Sequence, residues 1–264
     1  MARICPLFSS SRGNSTYIGT GDTGVLIDVG RSTKQIEQAL LANNIDISAI
    51  KAIFITHEHT DHIQGLKVFA SRYNVKTFAS SGTMAALAQK GVLTGKFQTE
   101  VLDEKGIELA GMFIKPFNTP HDSQQSVGYI VNTADDKRAV IATDIGYMTD
   151  TIRNATDGAD VVLIESNHDV RMLQNGPYPY YLKKRILSNT GHLSNEACAN
   201  ELVTFIKKGI TKFILAHLSQ ENNLPELAFE TSVCHLSTQG MKQGIDYQLM
   251  VAPVANLGIK DLIF

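Results

Sequence analysis

The chain has 264 residues, of which 43% are hydrophobic and 19% are charged, and its formal net charge is −2. This composition predicts a globular protein with a sizeable core, and we expect one domain spanning residues 1–264. A nucleic-acid ligand would need a local basic patch, because the overall charge does not attract phosphate. The three cysteines fit neither a disulfide framework nor a Cys-x-x-Cys metal site. Because the sequence shows no signal peptide and no run able to cross a bilayer, we expect a cytoplasmic protein without a membrane partner.

The first part of the chain alternates short apolar runs with amphipathic segments. Strands are predicted at "GVLID" (24–28), "KAIFIT" (51–56) and "VKTFAS" (75–80). Helices are predicted in "STKQIEQALLANN", where Ser32 and Gln35 have capping-box spacing, in "DHIQGLKVFASRY" and in "SGTMAALAQKG". This alternation indicates a sheet that helices cover.

The second part begins with successive strands over residues 107–143, where "ADDKR" is a predicted hairpin loop. Further strands are predicted at "VVLIE" (161–165) and "KFILA" (212–216). Helices are predicted in "SNEACANELVTFIKKG", ending at Gly209, and in "PELAFETSVCHLSTQG". The predicted fold class is therefore mixed α/β.

Polar side chains follow the predicted strands at the point where each strand ends. Rigid strands that deliver polar groups to one edge of a sheet can hold a site. Residues in such loops are better functional candidates than residues in the core. The candidates are Asp28, His57, His121, Asp144, Glu165 and His217.

The strongest local signal is "THEHTDH" at residues 56–62. In an extended segment His57 and His59 project to the same side, and Asp61 and His62 follow as the chain enters a helix. Imidazole and carboxylate groups suit zinc, manganese or iron. With the distant candidates they make more ligands than one tetrahedral ion can use, so we expect two divalent ions per chain. The predicted ligands are His57, His59, Asp61, His62, His121, Asp144 and His217.

The stretch "HEHTDH" resembles the His-x-His-x-Asp-His signature of the metallo-β-lactamase superfamily. "VLIDVG", "TPHD", "ATDIG" and "LAHLS" resemble its other ordered motifs, so the resemblance covers nearly the whole chain. It implies a four-layer αββα sandwich, with two sheets face to face, helices outside and metals at one edge. It also implies two ions bridged by Asp144 and supported by Asp28: one held by His57, His59 and His121, the other by Asp61, His62 and His217.

Spacing narrows the resemblance within the superfamily. Asp144 stands where class B β-lactamases place cysteine or serine, which argues against antibiotic hydrolysis. The intervals between His121, Asp144 and His217 leave no room for the long arm of tRNase Z or for a β-CASP insertion. The segments around Glu165 and His192 resemble tRNase Z. "SSSRGNS" and "ESNHDVRMLQNGPYPYYLKKRILSNTGHLSN" are most similar to the YycJ/WalJ type, which is associated with metal-dependent 5′-exonuclease activity on DNA.

The tripeptide His-Leu-Ser occurs at His192, His217 and His235. His217 ends a strand and is a predicted ligand, whereas His235 lies inside a helix without polar neighbours. His192 precedes a helix, and we expect it to protonate the leaving alkoxide of a phosphodiester while Glu165 holds its ring. Asp61 is also a catalytic candidate, because it would orient the attacking water.

Weaker candidates surround this set. Asn14 could support the metals or the substrate, although an ordinary turn would explain its position equally well. Arg185 and the two lysines before it could line a strand-binding groove, but a charge run is more often a solvated helix face. Tyr180 and its neighbouring tyrosines could stack on bases. His168 could support the metals or share the acid role.

These residues together favour a dinuclear metal-dependent phosphodiesterase that hydrolyses nucleic acid, and we expect a 5′-exonuclease on DNA. One alternative is a small-molecule or cyclic phosphodiesterase, which would suit the acidic charge and the missing arm. A thioester hydrolase of glyoxalase II type shares the ligand set but does not need the His192/Glu165 pair. A metal-binding scaffold without turnover is the alternative that is not an enzyme.

Overall fold

The computed structural model describes residues 2–20, 22–258 and 262–264. The strands are β1 (Arg3–Phe8), β2 (Ser15–Gly19), β3 (Gly24–Ile27), β4 (Ile50–Ile55), β5 (Lys76–Ala79), β6 (Thr99–Val101), β7 (Ile107–Leu109), β8 (Met112–Asn118), β9 (Val127–Asn132), β10 (Arg138–Ala142), β11 (Val161–Glu165), β12 (Lys212–Ala216), β13 (Gln248–Val251) and β14 (Leu262–Ile263). The α-helices are α1 (Thr33–Ala42), α2 (Thr60–Ile63), α3 (Leu66–Tyr73), α4 (Ser81–Gln89), α5 (Asp150–Ala155), α6 (Val170–Asn175), α7 (Tyr180–Ile186), α8 (Asn195–Lys207) and α9 (Pro225–Thr238). Among the described residues, no helix has the length and apolar character needed to cross a membrane.

The first sheet has the strand order β14-β1-β2-β3-β4-β5-β6. Its first four strands pair antiparallel, and β3 to β6 run parallel. Parallel neighbours need crossover segments, which helices usually supply. Here α1 connects β3 to β4, and α2 with α3 connects β4 to β5. The three strands predicted in the first part of the chain all form in this sheet.

The second sheet has the order β13-β12-β11-β10-β9-β8-β7. The strands β7 to β10 form an antiparallel meander, in which Arg138 pairs with Asn132 across the predicted hairpin loop. The strands β10 to β13 run parallel, with α8 between β11 and β12 and α9 between β12 and β13. The sheet is therefore mixed, and its parallel half carries the helices.

Alternating side chains divide the core into three layers of apolar contact. In β4, Ala52 and Phe54 pack between the two sheets, whereas Ile53 and Ile55 pack against the helices of the first sheet. The second sheet packs its outer face on α5, α8 and α9 in the same way. Strands buried on both faces are typical of parallel sheets between two layers. The arrangement is the four-layer αββα sandwich that the superfamily resemblance implies.

One local prediction is wrong, and one predicted helix starts with a different bond from the one that its sequence pattern suggests. Residues 61–73 form two helices instead of one, because the carbonyl of Asp61 accepts from the amide of Asn14 while the amide of Gly65 donates to Val29. These bonds to neighbouring loops replace the helical bond between Asp61 and Gly65. At the start of α1, the Ser32 hydroxyl donates to the side chain of Gln35 and makes no bond to the helix backbone.

The carboxyl ends of the central strands of both sheets meet at one edge of the sandwich. Three residues just beyond these ends have left-handed backbone conformations: Asp28 at φ 63°, Asp144 at φ 56° and His217 at φ 56°. Such conformations are uncommon outside glycine and cluster at functional sites, where surrounding contacts stabilise them. Backbone geometry thus marks the same edge that the sequence motifs mark.

Candidate metal centre and catalytic site

Three histidines form the first group of donor atoms. His57 Nε2 lies 3.0 Å from His59 Nδ1, which in turn lies 3.2 Å from His121 Nε2. His57 and His59 come from the loop after β4, and His121 comes from the loop after β8. Their donor atoms all lie within 4.8 Å of one another, so the three side chains could reach one common ion.

A second group combines Asp61, His62 and His217. Asp61 Oδ2 lies 3.4 Å from His62 Nε2 and 3.5 Å from His217 Nε2. The side chains of His62 and His217 are buried, whereas the Asp61 side chain keeps a quarter of its surface exposed. The two groups lie side by side, because Asp61 and His62 start the helix α2 directly after His59.

Asp144 lies between the two groups. Its Oδ1 is 3.5 Å from His121 Nε2 and 4.0 Å from His57 Nε2, and its Oδ2 is 3.3 Å from His62 Nε2. The residue is only 2% exposed. The structure therefore brings together all seven predicted ligands, with Asp144 in the position from which it could contact two ions.

Four of the histidines have one ring nitrogen engaged by an outer partner. The pairs are His57 Nδ1 with Thr56 Oγ1 at 3.0 Å, His62 Nδ1 with Asp28 Oδ2 at 2.7 Å, His121 Nδ1 with the Gly191 carbonyl at 3.2 Å, and His217 Nδ1 with Glu165 Oε1 at 3.0 Å. Outer partners of this kind fix the tautomer and ring orientation of metal-binding histidines. In each case the other nitrogen faces the centre.

The centre also holds buried polar atoms without a hydrogen-bond partner. Asp144 Oδ2 and His217 Nε2 are both in this state among the described residues. Buried polar atoms normally have a hydrogen-bond partner, so two buried atoms without one in the same centre need an explanation. A cation satisfies both, and the imidazole and carboxylate donors are those that zinc, manganese and iron accept. The residues present therefore fit divalent metal binding.

Carboxylates control the electrostatics of the centre. Burial lowers the pKa of His57 well below its usual value, and the charges of the neighbouring histidines lower it further. Burial also acts to lower the pKa of His62, but Asp144, Asp28 and Asp61 outweigh it, so the pKa lies well above its usual value. In His217, burial is likewise outweighed by Asp144 and other carboxylates, which raise the pKa to about 10. The negative charge that stabilises these imidazolium ions would also attract metal cations.

Glu165 is a buried carboxylate that contacts two histidines and two backbone amides behind the centre. Its Oε1 lies 2.8 Å from His192 Nδ1 and 3.0 Å from His217 Nδ1. Its Oε2 accepts from the backbone amides of Ile145 at 2.7 Å and Leu193 at 3.1 Å. Burial would raise its pKa, but His192 and His217 hold the pKa well below the usual value. Glu165 therefore orients a predicted ligand as well as its predicted partner.

His192 lies at the rim of the centre. Its ring centroid is 5.2 Å from that of His121 and 5.3 Å from that of His217, and its side chain is 13% exposed. Because Glu165 engages Nδ1, the opposite nitrogen Nε2 is free to meet a substrate.

Comparisons with known proteins agree with this geometry. Residues 23–218, which include every predicted ligand, match the β-lactamase superfamily domain. The chain belongs to the β-lactamase superfamily. It is 38% identical over 247 residues to exodeoxyribonuclease WalJ of Streptococcus pneumoniae, covering 92% of this chain and 91% of WalJ. It is 37% identical over 229 residues to exodeoxyribonuclease YycJ of Bacillus anthracis, covering 84% of each chain.

A solved structure supports the fold. The metallo-β-lactamase fold protein YhfI from Bacillus subtilis superposes with a TM-score of 0.71 at 11% identity, covering 96% of this chain and 97% of YhfI. The predicted sandwich and the resemblance to the YycJ/WalJ type are thus confirmed. With its imidazole and carboxylate donors at the sheet edge, this superfamily member is a metal-dependent hydrolase.

The remaining predicted residues differ in their relation to this superfamily centre. Asn14 contacts it, with Nδ2 3.1 Å from His62 Nε2 and 3.4 Å from Asp61 Oδ2. His168 is buried and lies outside the donor groups. Its ring nitrogens have no hydrogen-bond partner among the described residues, and burial lowers its pKa to about 4. His235 lies on α9, outside the centre.

Arg185 is not part of a purely solvated helix face. Its guanidinium pairs with both carboxylate oxygens of Asp122, with Nη2 2.8 Å from Oδ1. Asp122 follows His121 directly, and its Oδ1 lies 3.5 Å from His121 Nε2. This pair connects α7 to the loop that carries a predicted ligand.

Several supporting residues escaped the sequence analysis. Thr56 Oγ1 lies 2.9 Å from Asp28 Oδ2, and Glu58 Oε1 accepts from the amide of Gln124 at 2.9 Å. Both belong to the motif segment, so their position was a usable signal. Ser9 Oγ accepts from the amide of His217 at 2.8 Å. No local pattern predicts that contact, because it joins opposite ends of the chain.

Proposed function

We propose that this hydrolase is a phosphodiesterase with two divalent metal ions that degrades DNA from its 5′ ends. The observation that carries the proposal is the position of Asp144 between two complete donor groups, with the His192–Glu165 pair at their rim. WalJ and YycJ, which are named exodeoxyribonucleases and match most of the chain, support DNA as the substrate class.

The two donor groups would each hold one ion, and Asp144 would contact both. Zinc and manganese suit these nitrogen and oxygen donors, and iron is also compatible. When bound, the ions would supply Lewis acidity that polarises the phosphate and lowers the pKa of water. Asp61 would accept a hydrogen bond from the attacking water, because it is the carboxylate of the ligand set that retains exposed surface.

His192 would protonate the leaving oxygen of the DNA. Water would add to phosphorus and lose a proton to solvent, the bond from phosphorus to O3′ would break, and O3′ would take a proton from His192 Nε2. His192 would then regain a proton from solvent. Asp144, Glu165, His192 and His217 could in principle form another metal group. We assign Glu165 to positioning instead, because both of its oxygens are already engaged by two imidazoles and two backbone amides.

Three nearby residues would have smaller roles. Asp28 and Asn14 would hold His62 and Asp61 in place through the contacts described above. Arg185 would position the His121 loop through Asp122 and lie close enough to approach a substrate phosphate. His168 is proposed only to line the substrate side of His192, since both residues line one cavity and neither ring nitrogen of His168 has a hydrogen-bond partner among the described residues.

The proposal is tested with the metal-loaded protein and DNA labelled at either end, with RNA, a cyclic dinucleotide and bis-p-nitrophenyl phosphate as comparisons. We expect early release of the 5′ label and a rate on DNA that falls steeply with salt, because phosphate contacts release counterions. A rate that does not change with salt, together with efficient turnover of the cyclic dinucleotide, would instead identify a small-molecule phosphodiesterase.

A further inference from the structure

A cavity of about 420 Å³ lies beside the proposed proton donor. His192 and Leu193 line one part of it, and Tyr147 and Leu187 line another. Tyr147 is 48% exposed and Leu187 is 46% exposed, which is unusual for large apolar side chains next to a catalytic site. The cavity has room for a nucleoside, and the ring of Tyr147 in its lining offers a surface on which a base could stack.

Charge in this first cavity is balanced. Arg153 and Glu201 both line it, and the guanidinium donates to the two Glu201 carboxylate oxygens at 2.9 Å and 2.7 Å. A bidentate pair of this kind leaves little net field for a free ion. The first cavity therefore suits an uncharged aromatic group better than a phosphate.

A second cavity of about 490 Å³ shares Leu187 with the first. Its other lining residues include Tyr180, Lys183 and Lys184, and none of its lining residues is acidic. Lys183 Nζ donates to the Gln174 carbonyl at 2.7 Å. Lys184 is exposed and has no ion-pair partner within the part of the chain that the structure describes. The lining of the second cavity is largely apolar, and the ammonium of Lys184 gives its edge a positive charge that suits a phosphate.

We propose that the two cavities together bind the 5′-terminal nucleotide, which is the leaving group of the reaction. This inference rests on the proposed function, in which His192 gives its proton to O3′ of that nucleotide. The nucleoside must then lie against His192, which places its base in the first cavity on Tyr147. The phosphate on its 5′ side reaches Lys184 in the second cavity.

The phosphate arm of the inference is tested with two single-stranded DNAs that differ only in carrying a 5′-phosphate or a 5′-hydroxyl. We expect the wild-type protein to favour the 5′-phosphate by about tenfold in kcat/KM, the scale of one charged contact. Lys184→Gln should bring that preference close to one. Lys207→Gln is the matched control, because Lys207 is an exposed lysine at the far end of α8.

The base arm uses the same DNA with an abasic first nucleotide. Tyr147→Ala should lower kcat/KM on intact DNA by about tenfold, the scale of one stacked base, and should cost much less on the abasic DNA. Tyr147→Phe retains the ring and should restore the wild-type ratio. A merely structural role for Tyr147 would reduce activity on both DNAs equally.

The possible outcomes distinguish a failure of the nucleotide-binding inference from a failure of the proposed exonuclease function. A wild-type protein that cuts no DNA, or cuts only from 3′ ends, overturns the proposed function and the inference with it. Release of mononucleotides from 5′ ends with both preferences unchanged in the variants overturns the inference alone. A first product longer than one nucleotide also overturns it, because the phosphate at Lys184 would then be internal to the strand.

Discussion

The two sheets contribute to the centre in different ways. The first sheet delivers His57, His59, Asp61 and His62 from one continuous segment after β4, a short loop that leads directly into α2. The second sheet contributes one residue at a time, from the ends of separate strands. Those residues are His121 after β8, Asp144 after β10, Glu165 at the end of β11 and His217 after β12.

The two arrangements depend on different features of the fold. Donors in one loop keep their spacing through local chain geometry. Donors on separate strands depend on register, which pairs Glu165 with Ala216 and so places Glu165 beside His217. The second sheet also carries Asp144 in a left-handed conformation. Both sheets therefore contribute predicted ligands, and the strand ends of the second sheet also place Asp144 between the two groups and Glu165 against His192.

The largest expected effect comes from Asp144→Ala, which removes the contact between the two groups. We expect loss of both ions and a fall in activity of roughly a thousandfold or more, because the proposed site would lose the carboxylate placed to contact both ions. Elemental analysis and turnover measure the two effects, and Asp103→Ala, an exposed loop variant, should change neither. Fully active wild-type protein with one ion or none would contradict the dinuclear proposal.

His192→Ala tests whether the second sheet holds a proton donor as well as ligands. Both ions should stay bound, and hydrolysis of DNA should slow by about a hundredfold or more, the usual scale for a positioned general acid. The loss should shrink on bis-p-nitrophenyl phosphate, whose leaving group departs without protonation. Equal losses on the two substrates, or loss of metal, would show that His192 has another role.

Asp28→Asn examines the support behind the first loop. The change removes the charge that holds His62 Nδ1, so we expect metal affinity to fall by about tenfold to a hundredfold. Competition with a chelator measures the affinity, and excess metal should restore most of the turnover. An unchanged affinity would mean that burial alone orients the His62 ring.

The smallest effect is expected for His235→Ala, because His235 belongs to neither set of donor residues. His235 is partly exposed on α9 and lies away from the donor groups. Turnover and metal content should match the wild type, and the free energy of unfolding should change by less than about 1 kcal/mol. Urea denaturation and elemental analysis provide the measurements. A loss of metal here would show that the centre depends on α9.

Most of the element order follows from the residues, since periods of two and 3.6 identify the strands and helices locally. The exceptions come from contacts between distant segments. The break between α2 and α3 arises where Asp61 and Gly65 bond to other loops instead of each other. Gly30 is a related case, because a Cβ there would lie 1.7 Å from the Asp61 carbonyl oxygen. Only the assembled fold shows why that position needs glycine.

The sequence by itself indicated a mixed α/β fold and a set of candidate donors, because periodicity and motifs are local features. Its ordered motifs also resembled a known superfamily, and that resemblance implied the αββα sandwich. Tertiary structure decided which groups touch: Glu165 holds His217 as well as His192, and Arg185 pairs with Asp122 instead of facing solvent alone. The physical reason is that such contacts depend on strand register and loop packing across long separations in the chain. No local period carries that information.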